Sequence, residues 1–287
     1  MLMCMDVDDC LRRYHANGYV TRIPFLDRDA LLQARIACDR RLQQPGCDPH
    51  WLMDVHTGSD GAWLMDVLQR GDTLRLLRAF CGERVCLSSS QFFVKPPICN
   101  GGGRPVGWHQ DGFDSVQGDF EEPPEVEHEN VGPLSLWVPL DDVDEVSGAL
   151  RVLPRMHRTG RLPVGQMTAD EAASGVGIGI DASVIAAHEA HAITYDLRAG
   201  EAAAHHPCTP HSSSINRSAS PRRVLVLRFI PAEPYAARHQ GLFGPLISLS
   251  RWQHEGRPSG RCLLLSNPRS LSPRAGSHAS REKDMDE

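Results

Sequence analysis

His109-Gln110-Asp111, with His211 far along the chain, have the residue types and order to hold a metal ion. Two imidazoles and one carboxylate occupy one face of Fe(II) and leave the remaining positions open, the facial triad of non-haem iron oxygenases. Residues i and i+2 of an extended strand point to the same side, so His109 and Asp111 can grip one ion while Gln110 faces away. Arg222, eleven positions after His211, is not needed for metal binding. Its planar guanidinium suits a dicarboxylic co-substrate held bidentately. Ser213, two positions after His211, can add a hydroxyl to the same carboxylate. The combination predicts chemistry that uses Fe(II), 2-oxoglutarate and O2, with ascorbate as a useful additive in vitro. His205 and His206 compete for the distal ligand position, and the spacing to Arg222 favours His211.

The elements that position these groups follow from periodicity. Helices are expected over 6–16, over 27–43 with Asp27 as N-cap, and over 72–80. Strands are expected over 85–95, 106–111, 134–140, 148–153, 191–196, 201–205 and 223–230. The apolar run Val224–Ile230 sets Arg222 at a strand entrance, pointing into a barrel. Many short strands separated by Gly/Pro-rich turns predict a mainly β protein. Its core is expected to be a double-stranded β-helix (a cupin-like jelly roll) with flanking N-terminal α-helices. One barrel needs all the motif pieces, so residues 1–265 are read as a single domain. Residues 266–287, rich in Ser, Pro and charge, are read as a disordered tail. The segment 168–190 is expected to form a helix and loop over the barrel. The acidic insert 119–129 is read as a mobile loop near the mouth of the iron site. Trp51-Leu-Met-Asp-Val55 recurs as Trp63-Leu-Met-Asp-Val67 and is read as two amphipathic packing turns, too few for a solenoid.

Composition narrows the partners. Of 287 residues 41% are hydrophobic, enough for a large core, and the formal net charge of −6 comes without a basic patch, so nucleic acid is not an expected partner. The nine cysteines form no CxxC pair, which fits a reducing compartment rather than a disulfide framework. No apolar run is long enough to cross a membrane, and the acidic N-terminus has no signal-peptide pattern. The chain does not end in a peroxisomal tripeptide, so a cytoplasmic location is expected. A small-molecule substrate is expected, and monomer is the default state.

Several segments together resemble the phytanoyl-CoA dioxygenase family, from Tyr14 to about Pro231. They are Gly18-Tyr19-Val20 with Phe25-Leu26, Gln91-Phe-Phe-Val-Lys95-Pro96-Pro97, Trp108-His109-Gln110-Asp111-Gly112, Leu136-Trp137 to Asp142, and Gly148-Ala-Leu with Pro154 and His157. Last and most specific is Gly200-Glu201 to His206-Pro207, His211-Ser-Ser213, Asn216, Ser218 and Arg222. The chain departs from the family at Arg155-Met156, where Gly-Ser is usual, and at Ser212, where Gly is common. The resemblance implies that Lys95 and Trp137, and less strongly Gln91, line the co-substrate, and that His206 is not a ligand. Asn216 and Ser218 are expected to shape the turn after His211. The implied reaction oxidises an unactivated C–H with release of succinate and CO2. Related halogenases lack the carboxylate that Asp111 provides, so hydroxylation is the default outcome. The substrate range of the family includes acyl-CoA thioesters, amino-acid derivatives and secondary metabolites. Two other readings compete. A catalytically silent ligand-binding jelly roll predicts loss of a ligand or of Arg222, and neither is lost. A zinc hydrolase would explain the triad but not Arg222.

Overall fold

The helices begin where a carboxylate can cap them. In this computed structural model, which describes residues 6–111, 132–166, 168–169, 179–232, 246–255 and 262–265, α1 spans Val7–Asn17 and α2 spans Arg28–Leu42. Asp6 accepts the Asp9 N–H at 3.0 Å and Asp27 accepts the Ala30 N–H at 2.8 Å. Each such cap stabilises its helix by about 1 kcal/mol. α1 stops at Gly18, whose φ is +81°. A Cβ there would lie 2.5 Å from Nδ1 of His157 and 2.6 Å from the Thr209 hydroxyl, so both the turn and the close approach require glycine. Helices α3 (Ala62–Leu68) and α4 (Gly71–Cys81) complete the N-terminal layer.

Fourteen strands follow one another in chain order among the described residues. The first five are β1 (Tyr19–Pro24), β2 (Leu52–Met53), β3 (Val85–Lys95), β4 (Val106–His109) and β5 (Leu134–Pro139). Next come β6 (Leu150–Val152), β7 (Val164–Gly165), β8 (Gly179–Ile180), β9 (Ile193–Thr194) and β10 (Glu201–His205). The last are β11 (His211–Ser213), β12 (Arg222–Pro231), β13 (Leu246–Ser248) and β14 (Cys262–Leu264). A large sheet runs β1-β10-β5-β12-β3-β14-β13, with β2 also paired to β3. A small sheet runs β4-β11-β6-β9, and β7 pairs with β8. Pairing is antiparallel except between β13 and β14. The architecture is the expected jelly-roll type, but its strands form facing sheets rather than a closed barrel.

Alternation divides the large sheet into two faces. Leu225, Leu227 and Phe229 of β12, Leu136 and Val138 of β5, and Ala202 and Ala204 of β10 are buried with Leu64, Leu68, Leu76 and Phe80 of the helices. Burial of one such leucine is worth about 1.5–3 kcal/mol, so this apolar face fixes the register. The other face carries Arg222, Val226 and Arg228, Trp137, and His205 toward the small sheet, where they line one cavity with His109 and His211.

The structure adjusts several expectations. The helices at 6–16, 27–43 and 72–80 and the strands at 85–95 and 201–205 lie within a residue or so of their expected bounds. The strand expected over 106–111 pairs only to His109, and those over 148–153 and 191–196 shrink to β6 and β9. The repeated pentapeptide takes two conformations. Its first copy contains β2, paired with Gln91 and Phe92, and its second lies in α3. Within 168–190 a helix spans Ala182–His188. The insert 119–129 and the tail 266–287 lie outside the described residues. Arg155, where the family pattern has glycine, adopts φ +69°, a left-handed conformation that costs a non-glycine residue about 1–2 kcal/mol. No helix among the described residues is long and apolar enough to cross a membrane.

Candidate metal and co-substrate site

His109 and His211 are direct cross-strand partners of β4 and β11, so both imidazoles stand on the same face, with ring centroids 4.1 Å apart. Nδ1 of His109 lies 2.9 Å from the Gly107 carbonyl, and Nδ1 of His211 lies 2.9 Å from the Thr209 carbonyl. Only a protonated Nδ1 can donate to a carbonyl, so each contact leaves Nε2 as the lone-pair atom facing the cavity. Asp111 sits just beyond β4, its N–H donating to the Pro207 carbonyl at 2.9 Å. Ligand atoms of His109, Asp111 and His211 all lie within 4.8 Å of one another, and all three residues are buried. Gln110 turns away, donating to the Gly160 and Cys208 carbonyls.

The Asp111 carboxylate is held from the large sheet. Ser135 Oγ donates to Oδ2 at 2.8 Å, Arg228 Nη2 donates to Oδ1 at 3.1 Å, and His205 Nε2 lies 3.6 Å from Oδ2. Burial alone would raise this carboxyl, but the Arg228 guanidinium, followed by His211 and His205, outweighs burial and holds it well below the usual carboxylate range. Burial, and then the neighbouring His109, lowers His211 well below an ordinary histidine. A neutral imidazole pair and an ionised carboxylate are the forms that ligate a divalent metal. Two borderline nitrogen donors and one hard oxygen donor suit Fe(II).

At the other end of the cavity stands Arg222, 2% exposed, with Nε and Nη2 making no hydrogen bond. Its guanidinium carbon lies 5.4 Å from the Phe93 ring centre and 5.5 Å from that of Trp137. Burial, only partly opposed by the Asp141 charge, pushes its pKa down to about 9, so the cation persists at neutral pH. A buried cation lacking an adjacent acceptor is costly unless a ligand carboxylate meets it. Arg223, one residue on, faces the other way. It reaches Asp141 at 2.7 Å and Asp39 of α2 at 2.9 Å, tying helix to sheet.

The other expected residues divide. Ser213, Trp137 and Gln91 line the cavity. Gln91 Nε2 donates to the His50 carbonyl, which turns part of its polarity into scaffolding. Lys95 does not line the cavity. Its ammonium donates to the Ser213 carbonyl at 3.0 Å and to the Ser214 carbonyl, so it ties β3 of the large sheet to the end of β11 in the small one. Burial, with Arg222 nearby, lowers its pKa well below that of an ordinary lysine. Asn216 donates to the Lys95 and Ser220 carbonyls and accepts from Ser218, building the expected turn. His206 lies away from the triad. Burial pushes it down to about 3, and it accepts the Cys208 N–H.

Sequence reasoning missed Ser135 and Arg228, and it weighed His205 only as a rival ligand. A signal for Arg228 was present. It is the one charged residue within the run Val224–Ile230, and it shares the alternation of Arg222.

A "Probable alpha-ketoglutarate-dependent hypophosphite dioxygenase" of Stutzerimonas stutzeri is 28% identical over 176 residues, which cover 61% of this chain. The chain spans only 55% of that relative's length. Among solved structures, EvdO2 from Micromonospora carbonacea var. aurantiaca complexed with 2-oxoglutarate is similar, with a TM-score of 0.58 and 22% identity, over 80% of this chain and 92% of that one. The epimerase SnoN in complex with Fe3+, alpha ketoglutarate and nogalamycin RO has a TM-score of 0.58 and 20% identity, covering 79% of this chain and 84% of its own. At these identities the structural likeness establishes the fold. The sequence profile described as "Phytanoyl-CoA dioxygenase (PhyH)" matches residues 14–224, and with that span the chain belongs to the phytanoyl-CoA dioxygenase family.

Proposed function

We propose that this protein is an Fe(II)- and 2-oxoglutarate-dependent dioxygenase that hydroxylates an unactivated C–H of a small organic molecule. One observation carries the reading. A buried His-Asp-His cluster and a buried arginine without a hydrogen-bonded acceptor share one cavity. A hydrolytic metal site has no use for the second feature.

In this reading His109, Asp111 and His211 hold the iron through two Nε2 atoms and one carboxylate. When bound, the iron supplies O2 activation coupled to oxidative decarboxylation of 2-oxoglutarate to succinate and CO2. The protein's part is orientation. The Gly107 and Thr209 carbonyls fix both imidazole tautomers, and Ser135 fixes the carboxylate. Arg222 binds the distal carboxylate of 2-oxoglutarate, with the Ser213 hydroxyl as second donor. Phe93 and Trp137 flank that guanidinium and exclude water, which strengthens the ion pair. Asp111 would supply the carboxylate ligand that related halogenases lack, which favours hydroxylation. The Stutzerimonas stutzeri relative is named for hypophosphite and SnoN as an epimerase, so substrate and outcome can vary on this scaffold.

The test is succinate release from 2-oxoglutarate by the purified protein with Fe(II), O2 and ascorbate. Turnover that requires Fe(II) and O2, is raised by ascorbate and vanishes with a chelator is expected. No succinate, with hydrolysis of an ester instead, would sink the reading. A screen of small-molecule pools for a mass gain of one oxygen then identifies the substrate.

A further inference from the structure

Three histidines line the cavity, and two of them, His109 and His211, are anchored through Nδ1 to backbone carbonyls. The third, His205 at the end of β10, is 2% exposed, and neither of its ring nitrogens makes a hydrogen bond. Its register partner is Ser135 of β5, and partners in antiparallel strands point to one face, so both side chains stand on the cavity side. His205 lies outside the converging ligand set, which is His109, Asp111 and His211. A buried polar group without a partner is costly, and folded proteins keep few of them. A ligand that meets the ring removes that cost.

The neighbours of the ring decide which group that ligand must bring. Nε2 lies 3.6 Å from Oδ2 of Asp111, beyond hydrogen-bonding distance, and Ser135 Oγ already donates to that oxygen at 2.8 Å. An ionised carboxylate only accepts, so a singly protonated ring carries its proton on Nε2 and leaves Nδ1 as a lone pair. Ionised 2-oxoglutarate also only accepts, so the co-substrate cannot satisfy Nδ1. The missing group is an O–H or N–H donor. Other parts of the wall are apolar. Ala203 stands two residues back on the same face of β10, and Val106, Leu150 and Val226 line the cavity.

We propose that His205 determines substrate specificity by accepting, at Nδ1, a hydrogen bond from the prime substrate, which is a small organic molecule bearing a hydroxyl or an amide N–H. The inference rests on the iron and 2-oxoglutarate reading of the same cavity. His205 selects for the donor, and Val106, Leu150 and Val226 receive the carbon body.

The experiment compares isomers that differ in the donor: isobutanol against isopropyl methyl ether, and N-ethylacetamide against N,N-dimethylacetamide. Binding to the anaerobic Fe(II)·2-oxoglutarate protein is read from the relaxation of the probe protons by the ferrous ion. The wild type is expected to favour the donor over its isomer by about threefold or more. A preference in one pair alone identifies the donor as hydroxyl or as N–H. His205→Phe, which keeps a ring but no nitrogen, is expected to bring each pair to equal affinity. A role confined to steadying Asp111 would not move that ratio. Nitrogen NMR of the Zn(II)·2-oxoglutarate protein, labelled at histidine, is expected to show the His205 proton on Nε2. Equal affinities in both wild-type pairs, no probe binding, a preference surviving in His205→Phe, or a proton on Nδ1 each overturns the proposal. So does a His205→Phe protein that no longer takes up Fe(II), because His205 would then be a holder of Asp111. If the wild type binds neither Fe(II) nor 2-oxoglutarate, the parent reading has failed, a result separate from all of these.

Discussion

The two ends of the cavity are built on opposite principles. At the metal end most polar atoms already have partners: both Nδ1 atoms meet backbone carbonyls, and Asp111 is held by Ser135 and Arg228. At the far end Arg222 is buried between two aromatic rings, and two of its nitrogens make no hydrogen bond. The first arrangement fixes geometry before any ligand arrives. The second destabilises the folded chain until an anion reaches it. On the proposed reading, ligand selectivity rests on tautomer and orientation at one end and on stored electrostatic cost at the other.

The largest expected effect is at the metal end. His109→Ala, Asp111→Ala and His211→Ala should each abolish stoichiometric Fe(II) uptake and succinate release, while His206→Ala should retain Fe(II). Metal analysis after desalting checks this, and uptake that survives in His211→Ala but not in His206→Ala would move the distal ligand. Next is the far end. Arg222→Leu should weaken 2-oxoglutarate binding by about 3–5 kcal/mol, while the thermal midpoint of the ligand-less protein stays equal or rises. Arg223→Leu should do the reverse, lowering stability by about 1 kcal/mol or more through loss of its half-buried pair with Asp141 and its more exposed pair with Asp39, with co-substrate affinity kept. A larger co-substrate effect at Arg223 would mean that the two arginines had been assigned to the wrong faces.

The smallest effect is on acid stability, and it weighs the two ends equally. Burial pushes His206, behind the metal end beside His157, down to about 3 and His50, stacked on Phe93 near the other, down to about 4. An unfolded histidine titrates near 6.5. Between these values the unfolded chain binds protons that the native one refuses, so stability present above about pH 6.5 is lost as pH falls toward 3. Replacing either histidine by Gln should flatten the thermal midpoint against pH in that window. Unchanged slopes in both variants would place the proton uptake elsewhere.

Much of this was legible because chemistry and periodicity agreed. Asp27 precedes a helical repeat, and Val224–Ile230 is apolar in a strand-length run, so both elements lie where the pattern sets them. That His109, Asp111 and His211 cluster, and share a cavity with Arg222, was legible because the roles proposed for them demand particular residue types. Lys95 was misleading. Its place in the family pattern suggested a co-substrate contact, whereas only three-dimensional pairing puts the carbonyls of 213 and 214 within its reach. Arg228 and Ser135 escaped because a cross-strand row has no sequence spacing of its own. The pentapeptide Trp-Leu-Met-Asp-Val shows the limit most directly. Its first copy contains a strand beside β3 and its second lies in a helix against α2, so tertiary partners rather than the five residues decide.

The Lys95 tether has a dimensional consequence. It fixes the gap between β3 and the strand that begins at His211, and with it the span from the metal cluster to Arg222. On the proposed reading, in which Arg222 meets the far carboxylate of 2-oxoglutarate, the cavity would act as a length gauge for diacids. A rigid spacer of this kind should reject a 2-oxo diacid one methylene longer or shorter than 2-oxoglutarate. In Lys95→Met, where the tether is cut, the ratio of 2-oxoadipate to 2-oxoglutarate consumption should rise, and an unchanged ratio would show that the gap is set by the strands alone.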